Sequence, residues 1–424
     1  TERVWVSDSP GEREVIPFFH SAFIGNELDP SSNIVTWLGE DYSFCYRVRN
    51  CGGVLRAFVS RTIGHDTSKI NYFFPENYVN EVWDEDTLVY YCGESRVVFS
   101  PNTKDLGGSE QAVVELSKRF KDSGKWKEVY VFGNVIPGIY DGVHYKTLDE
   151  FDINNKFGDI ILWRGFGNQI LTKVKANRVF IDLHDNTNPE TLPADYINNS
   201  VEKVFVKSNF HTTLFPKINR DKFFIAPNGI HENLFGGKRN SMKDPYKFIW
   251  TSSYVRNLRE NLKYIWPVIK ENFPEAEYDI YYGDDFIPDN LKSELHELFK
   301  LPGVNHHGRQ SLKKIAQERK KSSFHLYITD TPIEIDCISV RESLASGCIP
   351  IISSTSVFLE RDGFHVDVTD ATNELQMKLA AQKIVSFIKD KKAVHELRES
   401  LYQSDLIFGW DKVAEQWISE MKGQ

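Results

Sequence analysis

Glu334-Ile335-Asp336-Cys337-Ile338-Ser339-Val340-Arg341-Glu342-Ser343-Leu344-Ala345-Ser346-Gly347-Cys348-Ile349-Pro350-Ile351-Ile352 is the stretch on which the reading of this chain turns. It holds two carboxylates, Glu334 and Glu342, with seven residues between them. The apolar run 324–329 before it reads as a buried strand, residues 337–346 as a short helix, and Gly347 as the C-cap before another strand. In an open parallel sheet, ligands bind beyond the carboxyl ends of the strands, where the loop holding Glu334 would lie and where a helix N-terminus can face an anion. A carboxylate in that place can accept two hydroxyl hydrogen bonds from a sugar or a ribose. Because the chain carries 60 acidic residues, the pair has meaning only if other segments agree with it.

The bulk numbers leave room for that agreement. At 424 residues the chain exceeds the usual size of one hydrophobic core, so two domains are expected. It is 41% hydrophobic and 26% charged, an ordinary globular composition. A net charge of −9 argues against a general nucleic-acid binder, while local basic patches are expected wherever a diphosphate binds. The five cysteines, Cys45, Cys51, Cys92, Cys337 and Cys348, form neither a C-x-x-C pair nor a zinc spacing, which points to a reducing compartment. No apolar run reaches the roughly 20 residues that span a bilayer, and the first residues do not read as a signal peptide. A start at Thr1 suggests excision from a longer, multidomain polypeptide, although simple trimming would look the same.

Residues 1–94 are rich in aromatics and short β-like runs, such as 54–59 and 87–91, broken by turn residues. From Arg96 the pattern becomes strands alternating with helices, the sign of βαβ units and a mostly parallel sheet. Two such halves follow, 95–240 and 241–407, with the basic and polar stretch 236–245 as linker.

Several segments carry chemistry. The strand-like run 96–100 leads into Asn102-Thr103-Lys104-Asp105-Leu106-Gly107-Gly108-Ser109-Glu110 and an amphipathic helix over 111–120. Gly107 and Gly108 let the backbone approach a ligand closely, and the free N–H groups of the helix point at it. The segment 159–170 offers a strand, Gly165-x-Gly167 and a helix, which imitates a dinucleotide fingerprint. Ile170 stands where the third glycine is needed for close helix–strand packing, so a dehydrogenase is set aside, and Arg164 remains as a substrate contact at the strand end. The run 179–185 ends in Asp182-Leu183-His184-Asp185, and Pro227-Asn228-Gly229 after another β run reads as a tight turn. A strand over 248–253 enters Tyr254-Val255-Arg256-Asn257-Leu258-Arg259, where a guanidinium fork can bind two phosphoryl oxygens at once. His306 and His307, with His325 elsewhere, invite a metal, but neighbours on a strand face opposite ways and no partner set is evident. Asp84-Glu85-Asp86 precedes the βαβ region and reads as an acidic turn.

Taken in order over roughly 97–417, these segments resemble the retaining glycosyltransferases of the GT-B fold, family 4 in particular, in which E-x7-E precedes a helix of small residues and a Gly. The resemblance implies an α/β protein with two Rossmann-like domains facing across a cleft: an acceptor domain over 95–240, a donor domain over 241–407, and a closing helix over 408–424 that crosses back, all preceded by the β-rich extension 1–94. It implies transfer of a sugar from a UDP- or GDP-linked donor to a hydroxyl of a glycan or glycoconjugate, with retention of configuration. Glu342 would hold the ribose, Glu334 would lie near the sugar, and Ile338 and Ser339 would adjoin the donor. Arg256 best matches the family's diphosphate clamp, with Arg259 second, although Asn257 replaces the Gly usual after the clamp. Gly107 and Gly108 would lie over the phosphates, Glu110, Arg164 and His184 against the acceptor, and His184 or Asp185 would orient or deprotonate its hydroxyl. The leaving phosphate would itself help to take the proton. The D-x-D of the other great glycosyltransferase fold holds a divalent ion, but an arginine clamp makes a metal redundant; neither metal nor a further cofactor is expected, and the location is expected to be cytoplasmic. Two rivals stand beside this: an epimerase or hydrolase of nucleotide-sugars on the same fold, and a non-catalytic binding module, which the missing Gly after Arg256 makes conceivable.

Overall fold

The computed structural model describes residues 81–423 apart from 96, 105, 165–167, 237–241 and 285–286, together with short strands at 4–5, 14–15, 22–24 and 36–38. The chain divides into two compact units, Thr1–Asn71 and Tyr72–Gln424. In the first, β1 (Val4–Trp5) pairs antiparallel with β2 (Glu14–Val15), and β3 (Ala22–Ile24) with β4 (Thr36–Leu38). Cys45, Cys51 and the β-like run 54–59 lie outside the described residues.

The second unit holds two sheets. The first has the order β12-β11-β10-β9-β5-β6-β8-β7, from β5 (Thr87–Gly93), β6 (Glu128–Gly133), β7 (Gly138–Tyr140), β8 (Val143–Thr147), β9 (Lys156–Trp163), β10 (Lys175–Asp182), β11 (Lys203–Val206) and β12 (Phe223–Ile225). All of its pairings are parallel except that of β7 with β8. The second is wholly parallel, in the order β15-β14-β13-β16-β17-β18, from β13 (Asp244–Trp250), β14 (Glu277–Tyr281), β15 (Val304–Gly308), β16 (Ser322–Tyr327), β17 (Ile349–Ser353) and β18 (Phe364–Val366). Counted within its domain, that is the doubly wound 3-2-1-4-5-6 arrangement, and the order in which strands are added reverses between its first and fourth strands. The switch points fall between β5 and β9 in one domain and between β13 and β16 in the other. Gly107, Arg164, Arg256 and Glu334 all lie on the loops that leave these four strands at their carboxyl ends.

One boundary differs from expectation. Thr87–Gly93, which composition placed in the β-rich extension, is the central strand of the first sheet and is buried throughout. The run 97–100, expected to be the first strand, contributes only an isolated bridge from Phe99 to Val135. Both runs are apolar, and only the first is long enough to pair on both sides; Val97 and Val98 are exposed. The linker also ends early, since β13 begins at Asp244.

Helix Trp410–Lys422 returns to the first domain. Its Trp410, Val413, Trp417 and Met421 join the apolar cluster formed by the helix Gly108–Asp122 and one face of the first sheet. Trp417 stacks on Phe205 with ring centroids 3.5 Å apart, and Lys422 reaches the buried Asp159 of β9 at 3.1 Å. The closing helix is thus part of the N-terminal core. Trp417→Ala should therefore cost about 3–5 kcal/mol, read as a loss of unfolding free energy in urea, with near-UV circular dichroism losing the aromatic signal of the first domain.

Candidate active site

The two domains meet at a cleft of about 390 Å³. One wall is the loop ending in Gly107 and Gly108 and the first turns of helix Gly108–Asp122; the other includes Thr251, Tyr282, Arg309, Ser339 and Glu342. A Cβ on Gly108 would lie 2.9 Å from Ile338 Cδ1, so a larger residue would require Ile338 to turn away. No side chain caps helix Gly108–Asp122, nor helix Ile338–Ala345 opposite it, so first-turn N–H groups of both remain available to an anion.

Of the residues expected on the donor side, Ile338, Ser339 and Glu342 line this cavity and Arg256 and Glu334 do not. Helix Ile338–Ala345 starts abruptly because Cys337 adopts the left-handed region at φ 62°. This orientation puts Glu342 in the cleft wall, buried, with Oε2 at 3.3 Å from Arg319 Nη2. Burial pushes its carboxyl up to about 7, with Arg319 and Arg341 pulling the other way. Glu334 Oε1 accepts from Tyr327 Oη at 2.5 Å and faces Arg256 Nη1 at 2.8 Å. Burial acts to lower the Arg256 pKa, but Glu334 outweighs it, so the guanidinium is firmly protonated.

Asn257 explains how the loop after β13 is shaped without the expected Gly. Its φ of 60° is left-handed, the conformation a glycine would supply. Its Oδ1 accepts from Thr329 Oγ1 at 2.9 Å and from the backbone N–H groups of Asp330 and Thr331 at 3.2 and 3.3 Å. One asparagine thus ties the loop of Arg256 to the loop that leads to Glu334. Arg259 does not join them. Its guanidinium pairs with Glu260 Oε1 at 2.5 Å and Glu294 Oε2 at 3.3 Å, on the helix Asp289–Leu298.

In the N-terminal domain, Arg164 directly follows β9 with φ 55°; it is not among the residues lining that cavity, and it gathers two of the expected acceptor-side carboxylates. It pairs bidentately with Asp185, Nη2 to Oδ1 being 3.0 Å, and Nη1 donates to Glu110 Oε1 at 3.2 Å. Gly165 and Gly167 lie outside the described residues. His184 is placed differently from the expectation: its side chain is buried, with Nε2 2.9 Å from Asp182 Oδ2. Asp182 also accepts from Lys207 Nζ at 2.7 Å and from Tyr90 Oη. Burial lowers the His184 pKa, opposed by Asp182, and nearby Lys207 lowers it further. Burial alone would raise Asp182, but His184 and Lys207 hold it well below the usual carboxylate range. This cluster lies inside the domain, whereas the polar groups lining the cleft on this side include Gln111, Glu115 and His231. His231 Nε2 accepts from Gln111 Nε2 and lies 3.6 Å from Glu115 Oε1.

The three histidines that invited a metal have local partners. His307 faces Asp279 at 3.1 Å and stacks on Tyr281, His306 bonds with Tyr254 Oη at 2.8 Å and stacks on Phe299, and His325 Nδ1 bonds with Ser343 Oγ at 2.9 Å. Asp84-Glu85-Asp86 forms the expected turn before β5, with Thr87 N donating to Asp84 O at 3.0 Å. Among the described residues, Cys92, Cys337 and Cys348 are free and buried, and no helix is long and apolar enough to cross a membrane.

Sequence reasoning missed Arg319, Gln111, Glu115 and His231. Arg319 lies in Glu318-Arg319-Lys320-Lys321, which reads as a solvated helix face, so no local signal distinguishes it.

No protein-family model and no curated protein matches the chain. Solved structures do. HepE of Anabaena, in complex with UDP and glucose, superposes with a TM-score of 0.55 over 80% of this chain and 100% of its own, at 12% identity. A glycosyltransferase from Rickettsia africae gives 0.56 over 81% and 100%, at 14% identity. Sucrose-phosphate synthase from Thermosynechococcus elongatus gives 0.57 over 77% and 97%, at 13% identity. The chain has the GT-B architecture of these proteins, two Rossmann-like domains with a cleft between them.

Two expectations follow from this geometry. Asn257→Gly keeps the left-handed backbone but loses a buried acceptor, costing about 1–3 kcal/mol, and Asn257→Ala adds about 1–2 kcal/mol of backbone strain; denaturant midpoints should fall in that order. Glu342 ionises near its ordinary 4.5 when unfolded and near 7 when folded, so over that window the native state binds the extra proton and stability falls as pH rises. Relative to Glu342→Gln, the wild type should lose on the order of 2 kcal/mol between pH 5 and 8, measured by urea unfolding at each pH.

Proposed function

We propose that the chain is a retaining, metal-independent glycosyltransferase that moves a sugar from a UDP- or GDP-linked donor to a hydroxyl of a glycan or glycoconjugate. The observation that carries this reading is the shared cleft: Glu342 of the C-terminal domain and the Gly107-Gly108 loop of the N-terminal domain line one cavity. The likeness of fold to HepE, whose structure holds UDP and glucose, supports it.

In this reading Glu342 accepts the ribose hydroxyls, and the diphosphate lies between Arg256 and the helix start at Ile338 and Ser339. Glu334, already paired with Arg256, adjoins the transferred sugar. Arg256 and the uncapped helix N-termini meet the negative charge that grows on the leaving diphosphate. They supply the positive charge that a metal would otherwise bring. Arg259, bound to two carboxylates, is left out of the clamp. The acceptor lies against the glycine loop and the Glu110–Arg164–Asp185 group, and the leaving phosphate oxygen takes the proton of its hydroxyl. His184, buried and hydrogen-bonded to Asp182, supports this wall from beneath. Left-handed Asn257 keeps the clamp loop in the shape a glycine would allow, which disfavours the binding-module rival.

A thermal-shift screen of UDP, GDP, ADP and their sugars tests the reading first, since a ligand at 100 times its dissociation constant stabilises by about 2.7 kcal/mol. Acceptor-dependent release of nucleoside diphosphate, with the product anomer matching the donor by NMR, is expected next. Turnover without an acceptor, or an inverted product, would overturn it. Arg256→Ala should lower kcat about 10²–10³-fold, while Glu342→Ala should weaken donor binding in calorimetry.

A further inference from the structure

Arg319, on helix Leu312–Lys321, is fully buried, an unusual position for a guanidinium unless it is paired. Its contacts converge on the cleft wall. Nη1 donates to the carbonyl of Ser339 and to Ser343 Oγ; Nη2 donates to Thr251 Oγ1 and lies 3.3 Å from Glu342 Oε2. Its Nε has no partner, and the guanidinium stands 5.7 Å from the centre of the Phe235 ring. One side chain therefore joins the end of β13 to both turns of the helix that carries Glu342, and Thr251, Ser339 and Glu342 all line the cleft. Burying a cation with an unsatisfied nitrogen is a poor way to gain stability, because desolvation offsets the attraction of the pair. A role at the site accounts for it better.

We infer that Arg319 is the positioning residue of the donor site: it fixes the carboxylate of Glu342 so that two ribose hydroxyls can be accepted together. This rests on the reading of the cleft as a nucleotide-sugar site. Of the other charged groups, Arg309 lines the same wall and stands over the Tyr282 ring, 4.8 Å from its centre. Arg341 is directed at Asp336, 3.7 Å away, and Glu115 and His231 line the opposite wall. Holding one oxygen sets the plane of the carboxylate, so less freedom is lost when hydroxyls bind. Burial raises the pKa of the carboxyl, and Arg319, 3.3 Å away, opposes that.

The test is a double-mutant cycle read by calorimetry with UDP and 2′-deoxy-UDP as probes. Wild type should prefer UDP about tenfold or more. Arg319→Met and Glu342→Gln should each bring the two affinities within about twofold, Arg319→Lys should fall between, and Arg319→Met should add nothing in the Glu342→Gln background. A structural role would lower both affinities and leave their ratio intact, so an unchanged ratio in Arg319→Met overturns the inference. Arg319→Met strands a buried carboxylate, so the decisive comparison if it does not fold is Arg319→Met/Glu342→Gln against Glu342→Gln. Equal affinities there support the inference, and a further tenfold loss overturns it. Absence of saturable binding of UDP, GDP or ADP to the wild type is a different result, which removes the donor-site reading itself and the inference with it.

Discussion

The buried carboxylate of Asp336 joins the two domains. It stands between Glu334 and Glu342 in the chain, and its Oδ2 accepts from the backbone N–H of Asn228 at 3.0 Å and from Asn228 Nδ2 at 2.8 Å. Oδ1 accepts from Arg361 Nη2 at 3.1 Å and lies 3.7 Å from Arg341. Burial would push this acid up, but the two guanidiniums and the Asn228 N–H outweigh it and hold it ionised. Ser208 Oγ donating to the Ile335 carbonyl at 2.7 Å, and Glu360 receiving the N–H groups of Asn209 and Phe210, extend the same contact. Loss of the Asn228 contacts would leave Asp336 Oδ2 buried without those two donors, while Arg361 would still pair with Oδ1.

The loops that leave β9, β13 and β16 share a second constraint. Arg164, Asn257 and Cys337 all hold positive φ, at 55°, 60° and 62°. Each is the point where a strand or loop gives way to the backbone that presents a charged side chain. Non-glycine residues keep this conformation only where the surroundings impose it. For Asn257 the imposing contacts are visible, and they are the hydrogen bonds that bring two loops together. For Arg164 they include the ion pairs to Asp185 and Glu110 and the N–H bond to the Asp182 carbonyl at 3.0 Å.

Three of these arginines come already matched to carboxylates: Arg256 to Glu334, Arg164 to Glu110 and Asp185, Arg319 to Glu342. In the proposed reading, a donor phosphate would exchange one partner for another at Arg256 and would not meet a bare charge. The desolvation already suffered by that guanidinium makes the exchange less costly than it would be for a solvated one.

Much of this was legible in the sequence. The alternation of strands and helices gives two parallel sheets, because each apolar run of β length must be buried and each amphipathic helix must cover it. The E-x7-E spacing and the glycine loop are local in the chain, so their positions at strand ends and helix starts follow from periodicity and capping alone. What the sequence could not reveal depends on contacts between distant segments. Thr87–Gly93 rather than 97–100 is the central strand, because only the fold decides which of two apolar runs finds partners on both sides. Arg319 and Arg259 look alike in a charged helical stretch, yet one is buried under Glu342 and the other pairs with carboxylates away from it. A charge's role is set by what desolvates it and what faces it, and for Arg319 both are supplied by residues tens of positions away in the chain.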